Sequence, residues 1–109
     1  MNSLFLSAYA KASLTDIYVY TCETWGPAKI DAYLDGLFSM FEQIEAQTEL
    51  SRPMPPELEL DGYFIRIQRH CIYWKQFNSG EIGIAAIWHK SMLQGDRLLA
   101  AFGVLYDRQ

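Results

Sequence analysis

The acid–base and phosphate-holding chemistry of this sequence is concentrated in its second half. His89, Lys90 and Ser91 close an apolar run, and Arg66, Arg69, His70 and Tyr73 lie in the two segments before it. Histidine exchanges protons near neutral pH, and arginine and lysine hold phosphate oxygens. Brought to one end of a sheet, such a set could grip a phosphodiester and act on it by acid–base catalysis. The pattern is not specific, because a single His at a strand end more often makes a structural hydrogen bond. No Gly-rich phosphate loop, paired acidic dyad or nucleophile elbow accompanies it. Two Cys and two His are scattered singly, without metal-ligand spacing, so neither a metal nor another cofactor is expected.

The element that must position these groups is the stretch Ile82 to Met92. Six of its first seven residues are apolar and do not alternate cleanly, which predicts a central strand covered on both faces. Its small residues Gly83, Ala85 and Ala86 leave room for something large, expected from earlier in the chain. Before it, Tyr63 to Gln68 alternates as a half-buried strand, and His70 to Phe77 continues after a tight place at Arg69-His70. Asn78-Ser79-Gly80 is a hairpin turn. Three consecutive strands joined this way form an antiparallel meander.

Toward the N-terminus, Leu4 to Leu6 reads as a short strand and Ser7 as a helix N-cap. A helix to about Trp25 carries Ala10, Leu14, Ile17, Thr21 and Trp25 on one face. Gly26-Pro27 stops it and starts a second helix to about Ala46, with the stripe Ile30, Leu34, Leu37, Phe41 and Ile44. The link makes a helical hairpin whose two stripes need the sheet. Tyr18, Val19 and Cys22 add apolar surface beyond the first stripe. Gln47 to Asp61 is connective, with a helical turn expected at Pro56 to Glu59. In the tail, Asp96 is placed as an N-cap, Leu98, Leu99 and Phe102 as a helix face, and Gly103 as its stop. Val104 to Tyr106 belongs to no stripe.

The chain has 109 residues, half of them hydrophobic and 15% aromatic, enough for one domain with a core of its own. The fold class expected is α+β, a helical hairpin on a small, mostly antiparallel sheet with a short C-terminal helix. There is neither a membrane span nor a secretory leader, which makes the cytoplasm the expected location. Cys22 and Cys71 are expected to be free thiols. Eight acids against one Arg fall between Asp31 and Asp61; then Arg66, Arg69, Lys75 and Lys90 face only Glu81. The basic half could meet an acidic partner, while the net charge of −4 argues against direct nucleic-acid binding.

Taken together, Leu6-Ser7, Ala10, Leu14, Ile17, Tyr20-Thr21, Trp25-Gly26, Tyr33, Leu37, Arg66, His70, Ile72, Tyr73 and Trp88-His89-Lys90-Ser91-Met92 resemble the ParE branch of the ParE/RelE toxins, over nearly the whole chain. The resemblance implies the same fold. It also implies a toxin of a type II toxin–antitoxin pair, not an enzyme, that inhibits DNA gyrase by protein binding. A ParD-like antitoxin, whose ribbon-helix-helix part binds operator DNA, would neutralise it in a hetero-oligomer. On this reading His89, Lys90, Met92, Arg97, Leu98 and Phe102 face the target, and Tyr18, Val19 and Cys22 face the antitoxin. Two other functions fit the resemblance. One is a RelE-like ribosome-dependent mRNA endoribonuclease using His89, Lys90, Arg66 and Arg69. The other is a non-toxic homologue that only binds its antitoxin.

Overall fold

The computed structural model describes residues 4–46, 51–89 and 95–108. The chain runs β1 (Leu4–Leu6), α1 (Ala8–Trp25), α2 (Pro27–Ala46), β2 (Arg52–Pro53), a 3-10 turn at Pro56–Leu58, β3 (Tyr63–Ile67), β4 (His70–Gln76), β5 (Ile82–His89) and α3 (Gly95–Arg108). The sheet order is β1-β5-β4-β3-β2. β3, β4 and β5 form the expected antiparallel meander, β2 adds antiparallel to β3, and β1 pairs parallel to β5. The α+β class and the helical hairpin are as expected; the two-residue β2 falls in a stretch read as connective.

Two apolar cores lie on opposite faces of this sheet. On one, Ala10 and Ile17 of α1 and Ile30, Leu37, Phe41 and Ile44 of α2 pack on Ile72, Trp74, Ile82, Ile84 and Ile87. On the other, Leu98, Ala101, Phe102 and Leu105 of α3 pack on Cys71, Tyr73, Ala85, Ala86 and Trp88. β4 and β5 are therefore buried on both sides, as the apolar run of β5 requires. The space above the small residues is filled mainly from later in the chain, by α3, and by the Phe77 ring over Gly83. Cys22 packs against the first core and Cys71 lies in the second; both are free thiols.

The uneven pattern of β5 has a second cause. Tyr73 stands opposite Ala86 and Trp74 opposite Ile84, so Ala85 is an extra residue, a β-bulge. Ile82 and Ile84 face the helical hairpin before it and Ile87 does after it, which shifts the alternation by one. Beyond Ile84, β1 has ended and α1 takes its place along β5. Two buried serines then supply hydrogen bonds that a strand would have made. The Ser7 N–H donates to the Ile84 carbonyl at 3.1 Å, and Ser7 Oγ donates to the Ala85 carbonyl at 2.5 Å while accepting from the Ala10 N–H at 3.0 Å. Ser13 Oγ accepts from the Ile87 N–H at 3.3 Å and donates to the Tyr9 carbonyl at 2.8 Å. Ser7→Ala removes the helix cap and leaves a buried carbonyl short of a donor. It is expected to cost about 2 kcal/mol, read as a lower urea midpoint with unchanged slope.

The tail differs most from its expectation. α3 starts at Gly95, which puts Asp96 in its first turn, and it runs through Gly103 to Arg108. Its buried stripe is Leu98, Ala101, Phe102 and Leu105, at the spacing of one helix face, and Leu99 is 46% exposed. The Asp61 N–H donates to the Tyr106 hydroxyl at 2.8 Å, fixing the far end of α3 to the loop before β3. In α1, Trp25 is exposed rather than part of the core stripe. None of the described helices is long and apolar enough to cross a membrane.

Candidate functional site

Strand register decides which of the sequence-marked groups meet. His70 and His89 are paired residues on β4 and β5, with ring centroids 5.7 Å apart at nearly a right angle. Both lie on the helical-hairpin face, where Tyr33 of α2 reaches His70: its hydroxyl is hydrogen-bonded to Nδ1, and the rings are 5.6 Å apart. Arg66 and Tyr73 alternate to the other face. Arg66 is exposed, opposite Cys71, and Tyr73 is buried between Phe64 and Trp88. Burial pushes the Tyr73 hydroxyl well above its usual range, with Cys71 adding to the shift, so it belongs to the core rather than to a site. Lys75 is also buried, its ammonium 5.1 Å from the centre of the Tyr106 ring and 5.7 Å from that of Phe77. It cannot present charge to a partner.

The expected ribonuclease quartet is thus divided. His89 is on one face, Arg66 on the other, Arg69 in the exposed β3–β4 turn beside His70, and Lys90 lies outside the described residues. The expected target-facing set is divided as well. Leu98 and Phe102 are fully buried against the sheet and are corrected to core residues, because the helix spacing that marked them turns them inward. Arg97 is exposed, with its guanidinium 5.1 Å from the centre of the Trp88 ring, a cation–π contact. Met92, like Lys90, lies outside the described residues. In α1, Tyr18 and Val19 are exposed, at 51% and 46%, whereas Cys22 is half-buried against the first core.

Among the described residues, this packing leaves two depressions that bear on function. One is an apolar groove of about 290 Å³ along the outside of the hairpin, lined by Leu14, Thr15, Tyr18, Leu34 and Phe38. The other is a cleft of about 370 Å³ where the α1–α2 link approaches the β3–β4 turn. Tyr20 and Trp25 come from α1, Lys29 and Tyr33 from α2, and Arg69 and His70 from the turn. Tyr20, Trp25 and Lys29 are not among the expected site residues: the helical spacing places Trp25 on the apolar stripe of α1, whereas Tyr20 and Trp25 are exposed. Only the turn between Ile67 and His70, two residues long with Gln68 at φ 52°, brings Arg69 to them.

Within this cleft the Tyr33–His70 pair has a defined protonation. Burial pushes the Tyr33 hydroxyl up to about 12, so it keeps its proton. Burial, and then the nearby His89, lower the His70 value below the ordinary 6.5. Neutral His70 holds one ring proton, and with the Tyr33 hydroxyl donating to Nδ1 that proton sits on Nε2. Unfolded His70 takes up a proton as pH falls through about 6.5, while the folded ring resists. The pair's contribution to stability is full above that pH and is lost as pH falls through the lower folded value. Between about pH 7.5 and about pH 5.5 the thermal midpoint is expected to drop further in the native protein than in a His70→Gln variant. Equal drops would show that His70 is not the linked group.

A family model described as ParE toxin of the type II toxin–antitoxin system parDE matches residues 4–94. Among solved structures, the chromosomal ParDE toxin–antitoxin system from P. aeruginosa is similar at a TM-score of 0.67 and 20% identity, over 82% of this chain and 96% of that one. The toxin–antitoxin complex RelBE2 from Mycobacterium tuberculosis is similar at a TM-score of 0.56 and 13% identity, over 82% of this chain and 98% of that one. No curated protein matches. At these identities the two structures speak to the fold, and the family match ends just before α3.

Proposed function

This chain belongs to the ParE toxin family of type II toxin–antitoxin systems, and on that premise we propose that it inhibits DNA gyrase by protein–protein binding and is held inactive by a ParD-like antitoxin. The observation that carries the reading is the family match across residues 4–94. The geometry favours a binding toxin over the ribonuclease alternative. General acid–base cleavage of RNA needs its basic groups converging on one phosphate, and His89 and Arg66 stand on opposite faces of the sheet. The test is a supercoiling assay with purified gyrase and plasmid. Linear cleaved DNA that disappears on adding the antitoxin is expected; no effect of the folded protein would overturn the reading.

The antitoxin contact in this reading lies along the hairpin groove. Tyr18 and Phe38 are 51% and 45% exposed there, beside the half-buried Leu14 and Leu34. Large apolar anchors of this kind offset the ordering cost of a partner segment that folds as it binds. Val19 extends this surface, and Cys22 contributes less than the sequence suggested because it is half-buried. Tyr18→Ala combined with Phe38→Ala is expected to weaken antitoxin binding by more than about tenfold with only a modest fall in the unfolding midpoint, since Phe38 also touches Phe41. Calorimetry with the antitoxin peptide checks it. Of the expected target contacts, His89 on the hairpin face and Arg97 on the α3 face remain accessible, and Lys90 and Met92 are retained as proposed contacts.

A further inference from the structure

We propose that the cleft at the end of the helical hairpin binds a single nucleotide, its base on Tyr20 and Trp25 and its phosphate on Lys29 and Arg69. In a chain of net charge −4, no carboxylate among the described residues lines this cleft, and its charged lining residues are Lys29 and Arg69. Both cations are exposed and can move onto a ligand. Arginine in particular matches phosphate oxygens with a two-pronged donor geometry. At the rim, Tyr20 and Trp25 are 60% and 59% exposed, the two most exposed large apolar side chains among the described residues. Leaving two aromatic faces in water costs free energy that a stacked ring recovers, and aromatic platforms take any base.

The floor is polar and fixed. With the Tyr33 hydroxyl donating to His70 Nδ1, the His70 ring keeps its proton on Nε2 as a neutral donor, in a cleft also lined by Thr21 and Gln68. The volume of about 370 Å³ is at the small end for ligand sites, room for one nucleotide and not for several. An acidic peptide would satisfy the cations but would not supply the flat ring that the two aromatics call for. The nucleotide can be free or part of a single strand, since the chemistry is the same. This inference is independent of the gyrase reading.

The test uses the intact protein and Trp fluorescence. Trp74 and Trp88 are buried and Trp25 is exposed, so quenching by a bound base reports chiefly on Trp25. Titration with adenosine monophosphate is expected to quench the emission saturably. Adenosine alone should bind about tenfold more weakly or worse, as should the phosphate ligand in the Lys29→Ala/Arg69→Ala double variant. A short single-stranded oligonucleotide, run in parallel, separates the two sources: tighter binding than the mononucleotide assigns the site to a strand, and equal binding to the free nucleotide. Indole shifts of Trp25 by NMR, with the unfolding midpoint of the variant, guard against a folding artefact. The proposal is overturned if neither ligand binds saturably, if binding survives in the double variant, or if only an acidic peptide binds.

Discussion

A chain ending at Gln94 is expected not to hold the fold. α3 places Leu98, Ala101, Phe102 and Leu105 fully inside the second core, and its loss would bare Tyr73, Ala85, Ala86, Trp88 and Phe77 on a central part of the sheet. Deleting a buried leucine side chain costs about 2–5 kcal/mol and a phenylalanine about 3–5 kcal/mol. Three such losses amount to roughly 10 kcal/mol, comparable to the whole stability of a domain this size. Phe102→Ala alone is expected to cost about 4 kcal/mol, read as a large fall in urea midpoint. If a truncated chain lost toxicity, the loss would report unfolding, not a missing target contact. A truncated protein that unfolds cooperatively at the native midpoint would show that α3 is not part of the core.

Gly62→Ala carries the second largest expected effect. A Cβ at this position would run into the Phe102 ring and stand 2.9 Å from the Trp74 carbonyl oxygen. The ring can be trimmed, but the carbonyl belongs to the backbone of a central strand. Overpacking of this kind costs about 3 kcal/mol. Phe102→Leu is expected to relieve only part of it, because the carbonyl contact remains. A double-mutant cycle separates the two terms, and full rescue would show that the backbone is free to shift.

The regular parts of the fold were legible in the sequence because each has its own period. The α2 stripe, the β3 alternation and the turn at Asn78-Ser79-Gly80 correspond to observed elements. The tail was misread for a physical reason. Gly103 marks a stop only where a helix ends in solvent, and here the packing of Leu105 on the sheet carries the helix through it. The resemblance assigns Leu98 and Phe102 to the target, whereas packing of α3 on the sheet buries both. At the site, register was the missing quantity. Residue type alone groups Arg66, His70, Tyr73 and His89, but alternation along β3 and β4, and the bulge at Ala85, decide which side chains share a face. The cleft was not legible, since Tyr20, Trp25 and Lys29 meet Arg69 only through the tertiary approach of a helix end to a strand turn.

The joining of Ser7 to Ala85 spans 78 residues, and this fixes an order of assembly. As the nascent chain leaves the ribosome, β1 and both long helices emerge well before the strand that receives them. Until β5 has been made, the apolar stripes of the helices have no sheet to settle on, and local contacts alone do not stabilise so short a hairpin. Pairing across so long a loop also slows the search for the native topology. The hairpin groove and the cleft beside it therefore come into being together, with the last strand and helix, and prematurely ended chains display sticky helices in place of a finished binding surface.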